Sequence, residues 1–207
     1  VSQSIKIAGI QLSSLPLGPK KIEEFAKVCA SKDIKLMLFG EYVLNRFFKE
    51  LISTPQKMIE EQSKAQLEEL ERIANETGVA IVIPMVIKKG AGFVKSIVKF
   101  EKNRAIKYFP QQRLINFKHW NEKEFFINTI PSEPKLHTFI LEGVRFGVLF
   151  GYELHFDEYF LEAKRRKIDV ILLPTASTFA SQNRWREILR VRAFLNSIYI
   201  LRVNRIG

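Results

Sequence analysis

Cysteine is almost absent from this chain: Cys29 stands alone among 207 residues. A lone thiol excludes an internal disulfide and any cysteine-based metal cluster, and a reducing, cytoplasmic setting is the expectation. Histidine is nearly as scarce, and His119, His137 and His155 show no metal-ligand spacing, so neither a metal nor another cofactor is expected. No run approaches the roughly 18–20 apolar residues of a membrane span, which argues against a membrane partner. No basic stretch followed by an apolar one opens the chain, so no secretory signal is expected. Low-complexity tracts, Gly/Ser linkers and internal repeats are missing too.

What is present suits a packed interior. Apolar residues make up 46% of the chain, with 17 phenylalanines among them, ample for a buried core. Lys and Arg outnumber Asp and Glu, leaving a formal net charge of +11. That charge can attract polyanions, but the basic residues are scattered: Lys20-Lys21, Lys88-Lys89, Lys95, Lys99, Lys102, Arg104 and Lys107. The Lys164–Lys167 cluster falls at the end of a helix, where cations complement the dipole. No zinc-finger, homeodomain or RNP-type motif accompanies them, so nucleic acid is not the expected partner.

Short all-apolar strands alternate with amphipathic helices. Ile5–Leu12 reads as a first strand, and a helix from Pro19 to Ser31 carries Ile22, Phe25 and Cys29 on one face, which makes Cys29 a core residue. Leu36–Phe39 is a strand ending at Gly40-Glu41. A helix follows from Thr54-Pro55 to Asn75, with Met58, Leu67, Leu70 and Ile73 as its apolar positions and Gly78 as its stop. Val79–Pro84 is a buried strand, Phe93–Phe100 and Ala105–Phe109 form a hairpin, and Gln111–Pro134 is irregular. A second hairpin, Leu136–Leu141 with Val144–Phe150, turns at Glu142-Gly143. The helix Asp157–Lys167, the strand Asp169–Pro174, the helix Gln182–Leu195 and the strand Ile198–Val203 complete the order. Two sheets, each covered by helices on one face and by the other sheet on the second, satisfy this pattern.

The most informative stretch is Phe146–Phe150 followed by Gly151-Tyr152-Glu153-Leu154-His155-Phe156-Asp157-Glu158. A buried strand breaks at a glycine and a polar segment leads into a helix. This closely resembles the signature of the nitrilase superfamily, the carbon–nitrogen hydrolases, in which the position of Gly151 is the nucleophilic cysteine. Ile7–Leu12 resembles that family's opening strand, and Leu38-Phe39-Gly40-Glu41 its Phe-Pro-Glu, with Gly40 in place of proline. Trp185–Ala193 and Asn196–Gly207 resemble its later Trp-x-x-Leu-x-x-Arg-Ala and Asn-Arg-Val-Gly motifs. The similarity extends over nearly the whole chain and implies one domain, residues 1–207, folded as an α/β, four-layer α-β-β-α sandwich that commonly pairs into dimers. Relatives usually continue past the position of Gly207 through more strands and a tail, so an uncovered apolar edge and self-association as a dimer are expected.

The resemblance implies a Glu-Lys-Cys triad: the glutamate takes the thiol proton, the lysine stabilises the tetrahedral intermediate, and the cysteine forms the covalent adduct. Glu41 matches the glutamate. Anchored on Leu114, the lysine position is Gln111, with Arg113 two residues on as a partial cationic substitute. The family's second glutamate is matched by Glu122, with Glu124 the alternative; Thr129 and Leu195 depart from the family's glycine and glutamate. Glu153 matches an ordinary acidic position of the family, and His155 stands where it usually has arginine. The implied function is a degenerate hydrolase homologue that binds a small amide-, nitrile- or carboxylate-like ligand. The alternative is a water-based hydrolase using Glu41 and Arg113. With its main partner gone, Glu41 should hold its proton more tightly than an ordinary carboxylate.

Overall fold

The computed structural model describes residues 4–15 and 20–206. The first sheet has the order β1-β2-β3-β4-β5, built from β1 (Ile7–Ile10), β2 (Leu36–Phe39), β3 (Ala80–Lys89), β4 (Gly92–Phe100) and β5 (Lys107–Pro110). The second has the order β11-β10-β9-β8, from β8 (His137–Leu141), β9 (Val144–Val148), β10 (Val170–Thr175) and β11 (Tyr199–Asn204). Each sheet is mixed: β1, β2 and β3 run parallel, β4 pairs antiparallel with β3, and β5 antiparallel with β4. Likewise β9, β10 and β11 are parallel and β8 is antiparallel. A two-residue hairpin, β6 (Asn116–Phe117) and β7 (Trp120–Asn121), stands apart from both.

Alternation along these strands makes the four layers. Leu36 and Leu38 of β2 face the second sheet and pack with Phe146, Val148, Val170 and Leu172. Met37 and Phe39 face the other way, onto α1 (Lys20–Ser31) and α3 (Gln56–Thr77). In β10, Ile171 and Leu173 turn outward onto α4 (Asp157–Arg165) and α5 (Gln182–Asn196). With both faces covered, the strands consist of unbroken apolar runs rather than hydrophobic–polar alternation. The fold is thus an α/β arrangement with two mixed sheets flanked by helices.

Cys29 lies in the outer core between α1 and β2, and burial pushes its thiol pKa up. The expected start of α1 at Pro19 lies outside the described residues. In α3 the expected Leu67, Leu70 and Ile73 pack onto the core, but Met58 is exposed and Ile59 goes inside in its place. The helix ends at Gly78, whose φ of 72° provides a left-handed cap. Strand β3 does not end at Pro84 but continues to Lys89 and turns tightly into β4. Strand β2 pairs only with Ala80–Val82, so beyond that point one side of β3 has no ladder for Pro84 to interrupt. A short helix, α2 (Phe48–Leu51), was not legible in the sequence. The hairpin of β8 and β9 turns through Glu142 and Gly143, both at positive φ as a tight two-residue turn requires.

Candidate functional site

The site lies beyond the carboxyl ends of the parallel strands. Glu41 follows β2, Gly151 follows β9 and opens a 3-10 turn (Gly151–His155), and Thr175 ends β10. The carbonyl oxygen of Thr175 accepts from the backbone N–H of Glu41 at 3.2 Å and of Arg205 at 3.0 Å, tying the two sheets together there. Gly40 permits that closeness: a Cβ built on it falls 2.7 Å from the Arg205 backbone nitrogen. Proline, the residue at this position in the family pattern, would collide with that backbone.

A cavity of about 350 Å³ opens over these residues, lined by Glu41, Lys95, Gln111, Gly151 and Thr175 and walled by aromatic side chains, among them Trp120 and Trp185. The Gly151 N–H donates to Glu41 Oε1 at 3.4 Å, and a Cβ built on Gly151 lies 3.3 Å from that oxygen. Gly151, which the sequence resemblance puts at the nucleophile position, therefore faces the carboxylate directly. The space a side chain there would need is partly taken, because the same Cβ lies 2.8 Å from Thr175 Cγ2.

The cation beside Glu41 is Lys95, which the sequence reading left among the scattered basic residues; Arg113 does not fill that role. Lys95 is 3% exposed and its ammonium pairs with Glu41 and, at 2.6 Å, with Glu122. Arg113 instead pairs with Glu158 at 2.9 Å, its guanidinium over the Phe156 ring. The missed signal was phase. Lys95 shares the inward face of β4 with Ile97, which packs between the sheets. A lysine at such a position must find a carboxylate.

Glu122 is wholly buried and fully engaged. Its Oε1 accepts from Lys95 and, at 3.0 Å, from the Tyr42 hydroxyl; its Oε2 accepts from Ile115 N at 3.0 Å and Gln111 Nε2 at 3.3 Å. Glu124 is exposed and bonded to Asn121. Gln111 is 1% exposed; its Nε2 also donates to Arg113 O at 2.8 Å, while its Oε1 has no partner. Tyr42 adopts φ 57°, a left-handed conformation costing roughly 1–2 kcal/mol for such a side chain, held by the Glu122 contact and the surrounding core.

Burial penalises the Lys95 ammonium, but the neighbouring Glu122 and Glu41 carboxylates outweigh that and hold its pKa well above the usual lysine value. Glu41 is raised from its ordinary value by burial, with Lys95 opposing and Glu122 adding to the rise. The direction matches the sequence expectation, although its premise of an absent cation does not hold. Behind the site, Glu153 accepts from Phe150 N at 2.9 Å, Gln112 N at 2.7 Å and Arg113 N at 3.2 Å, joining the turn after β9 to the segment carrying Gln111. Burial pushes its carboxyl up to about 7 against those three donors. His155 and His119 line the cavity, whereas His137 bonds to Pro110 O on β5. No group of three or more potential metal-ligating side chains gathers among the described residues, and no helix among them is long and apolar enough to cross a membrane.

The chain matches the family model for carbon-nitrogen hydrolases over residues 6–207, and it belongs to that family. Its fold is similar to that of an amidase from Nesterenkonia sp., with a TM-score of 0.83 and 21% identity over 100% of this chain and 78% of that one. A mutant of that amidase in complex with butyramide matches with a TM-score of 0.82 and 21% identity, over 98% of this chain and 77% of that one. Another mutant, matching with a TM-score of 0.83 and 21% identity over 99% and 80%, shows acrylamide added at its active-site cysteine. No curated protein sequence matches the chain.

Proposed function

We propose that this chain is a pseudoenzyme of the carbon-nitrogen hydrolase family that binds a small amide-like molecule without thiol chemistry. The observation that carries the reading is Gly151: it meets Glu41 across the cavity, and no cysteine lines that cavity. In a serine-protease comparison, loss of the covalent nucleophile alone costs on the order of 10⁶ in turnover. What remains is a recognition site. Lys95 can donate to an amide oxygen, Glu41 and Gln111 Oε1 can accept from its N–H groups, and the aromatic walls can cover its carbon chain.

The Glu41–Lys95 pair supports a second reading. A water could give a proton to Glu41 and attack the amide carbon, with Lys95 facing the developing oxyanion; Glu41 then passes that proton to the amide nitrogen as the C–N bond breaks, leaving a carboxylic acid and ammonia. One experiment separates the two. The purified protein is incubated with a panel of simple amides, ω-amides and nitriles while ammonia and tryptophan fluorescence are followed. Both tryptophans of the chain, Trp120 and Trp185, line the cavity and report occupancy. Saturable fluorescence change without ammonia is the expected outcome. Ammonia release that Glu41→Gln abolishes establishes the second reading instead.

A further inference from the structure

The parallel strands of both sheets begin at the end of the sandwich away from Glu41 and Gly151, and the connections at that end are rich in cations. Lys6 leads into β1, Lys32 follows α1, and Lys6 Nζ donates to the Lys32 carbonyl at 3.4 Å. Lys102 and Arg104 occupy the turn from β4 to β5, beside the start of β3. In the second sheet, Arg145 lies at the start of β9, and Lys164, Arg165 and Lys167 at the end of α4. All eight are exposed, and none forms an ion pair among the described residues. The carboxylates near them are mostly held by other cations: Asp33 by Lys35, Glu76 by Arg72, Glu101 by Lys99 and Glu162 by Arg166. That leaves Glu142 and Asp169, and Asp169 already accepts from Arg145 N at 2.8 Å. Eight cations against two carboxylates is a surplus of six at one end, more than half of the chain's formal net charge of +11. These residues are scattered along the sequence, and the topology gathers them because each stands in a connection that leads into a strand.

A groove of about 830 Å³ opens among these cations, lined by Ser4, Ile5, Val144, Arg145, Asp169 and Tyr199. Tyr199 starts β11 and is 80% exposed; its backbone N–H donates to Asp169 O at 3.0 Å, so its backbone is fixed while its ring stands in solvent. Cations around a groove that also presents an aromatic face suit a chain of phosphates carrying free bases. A flat bilayer would meet the rim and leave the groove empty, and the bases of a duplex are already stacked on one another. We infer that this face binds single-stranded nucleic acid, with phosphates on the cations of the β4–β5 turn and of the end of α4 and a base stacked on Tyr199. It lies at the opposite end of the sandwich from the cavity that holds Glu41, so the two sites would fill independently.

The test is fluorescence anisotropy of a labelled oligothymidylate of about 20 nucleotides, titrated with the whole protein. At roughly 50 mM salt the dissociation constant should be micromolar or lower, and log affinity should fall against log salt with a slope of about −3, as for four phosphates at roughly 0.7 each. Lys102→Gln with Arg104→Gln, and Lys164→Gln with Arg165→Gln, should each weaken binding about tenfold and make the slope shallower by about 1. Lys20→Gln with Lys21→Gln removes the same charge at the start of α1, towards the other end of the sandwich, and should change affinity less than about twofold. Tyr199→Ala should weaken binding about tenfold with little change of slope, because stacking is not ionic, and Tyr199→Phe should retain the affinity. A duplex of the same length should bind more weakly. All these positions are exposed, so circular dichroism should show every variant folded. No binding at roughly 50 mM salt overturns the inference. So does a duplex bound as tightly as the single strand, or a loss in the Lys20 and Lys21 variant equal to that in the other two pairs. Capture of the protein by phosphatidylserine vesicles without binding of the oligonucleotide makes the face a membrane surface and overturns it as well.

Discussion

Introducing a thiol at Gly151 tests the site geometry most directly. Gly151 is not among the glycines at positive φ, so its backbone accepts a side chain and what matters is space. The built Cβ lies 2.8 Å from Thr175 Cγ2, a methyl on a β-branched, buried residue whose hydroxyl is fixed to Asn204 at 2.9 Å. Rotating that methyl away would break the hydroxyl's bond, so the single change Gly151→Cys should overpack the site and cost about 1–3 kcal/mol. Thr175→Ser removes the methyl, keeps the hydroxyl, and alone should cost on the order of 1 kcal/mol for the lost buried carbon. The two changes together should be more stable than the sum of their separate effects, with a coupling of about 1 kcal/mol or more, since both act on one contact. Urea unfolding of the four proteins measures this. In the double variant the new thiol, 3.3 Å at its Cβ from Glu41 Oε1, should alkylate with iodoacetamide far faster than buried Cys29, as peptide mass spectrometry resolves. A Gly151→Cys protein as stable as its parent, with no coupling to Thr175→Ser, would refute the view that the Thr175 methyl fills the space a side chain at Gly151 would need.

Other outcomes follow from the same contacts. Folded Glu153 titrates near 7 and an unfolded glutamate near about 4.3, so the native state holds a proton that the unfolded state has lost. Stability should therefore fall, by about 3 kcal/mol in all, as pH rises from about 4.5 through 7, a slope that Glu153→Gln should flatten in urea melts at stepped pH. Gly40→Ala places a Cβ 2.7 Å from the Arg205 backbone nitrogen and should cost about 1–3 kcal/mol, seen as a lowered melting temperature. Lys95→Met leaves Glu41 and Glu122 buried without their cation and should cost about 3–5 kcal/mol; combining it with Gln111→Lys should recover part of that loss in a double-mutant cycle. Helix α5 has no fully buried residue and exposes Val191, Phe194 and Leu195, so a dimer is expected in light scattering at micromolar concentration, weakened by Phe194→Glu.

The layers were legible because apolar runs and helical stripes are set by solvent exclusion, which local sequence reports. Leu36–Phe39 and Asp169–Pro174 read as doubly covered strands, and β2 and β10 (Val170–Thr175) fold as such. Motif spacing brought Glu41, Gln111, Glu122 and Gly151 into one view, and the fold gathers all four at one cavity or its wall. Lys95 escaped because its meaning depends on the phase of β4 and on two carboxylates 54 and 27 residues away in the chain, which no local pattern encodes. Arg113 was misplaced for the complementary reason. Counting two residues along a strand assumed that β5 persists, but it ends at Pro110, and the chain then bends so that Glu153 can bind the Gln112 and Arg113 N–H groups. The single miss in α3 is similar in kind: Met58 and Ile59 are both apolar, and only packing, against Val86 of β3 among others, selects the second.

The buried charge cluster itself bears on function. A core held together for stability alone has little use for Glu41, Lys95 and Glu122, because well-packed apolar residues of similar volume are often as stable or more so. Glu122 has four donors and is complete within the protein. Glu41 and Gln111 are not: one carboxylate oxygen of Glu41 has only a 3.4 Å backbone contact, and Gln111 Oε1 has none. Flipping the Gln111 amide cannot repair this, since its oxygen would then face Arg113 O and Glu122 Oε2, two acceptors. Both incomplete groups border the same cavity, where Gly151 and the Thr175 methyl present apolar surface. Polar groups left short of partners beside a hollow are what a site looks like when a hydrogen-bonding ligand completes it.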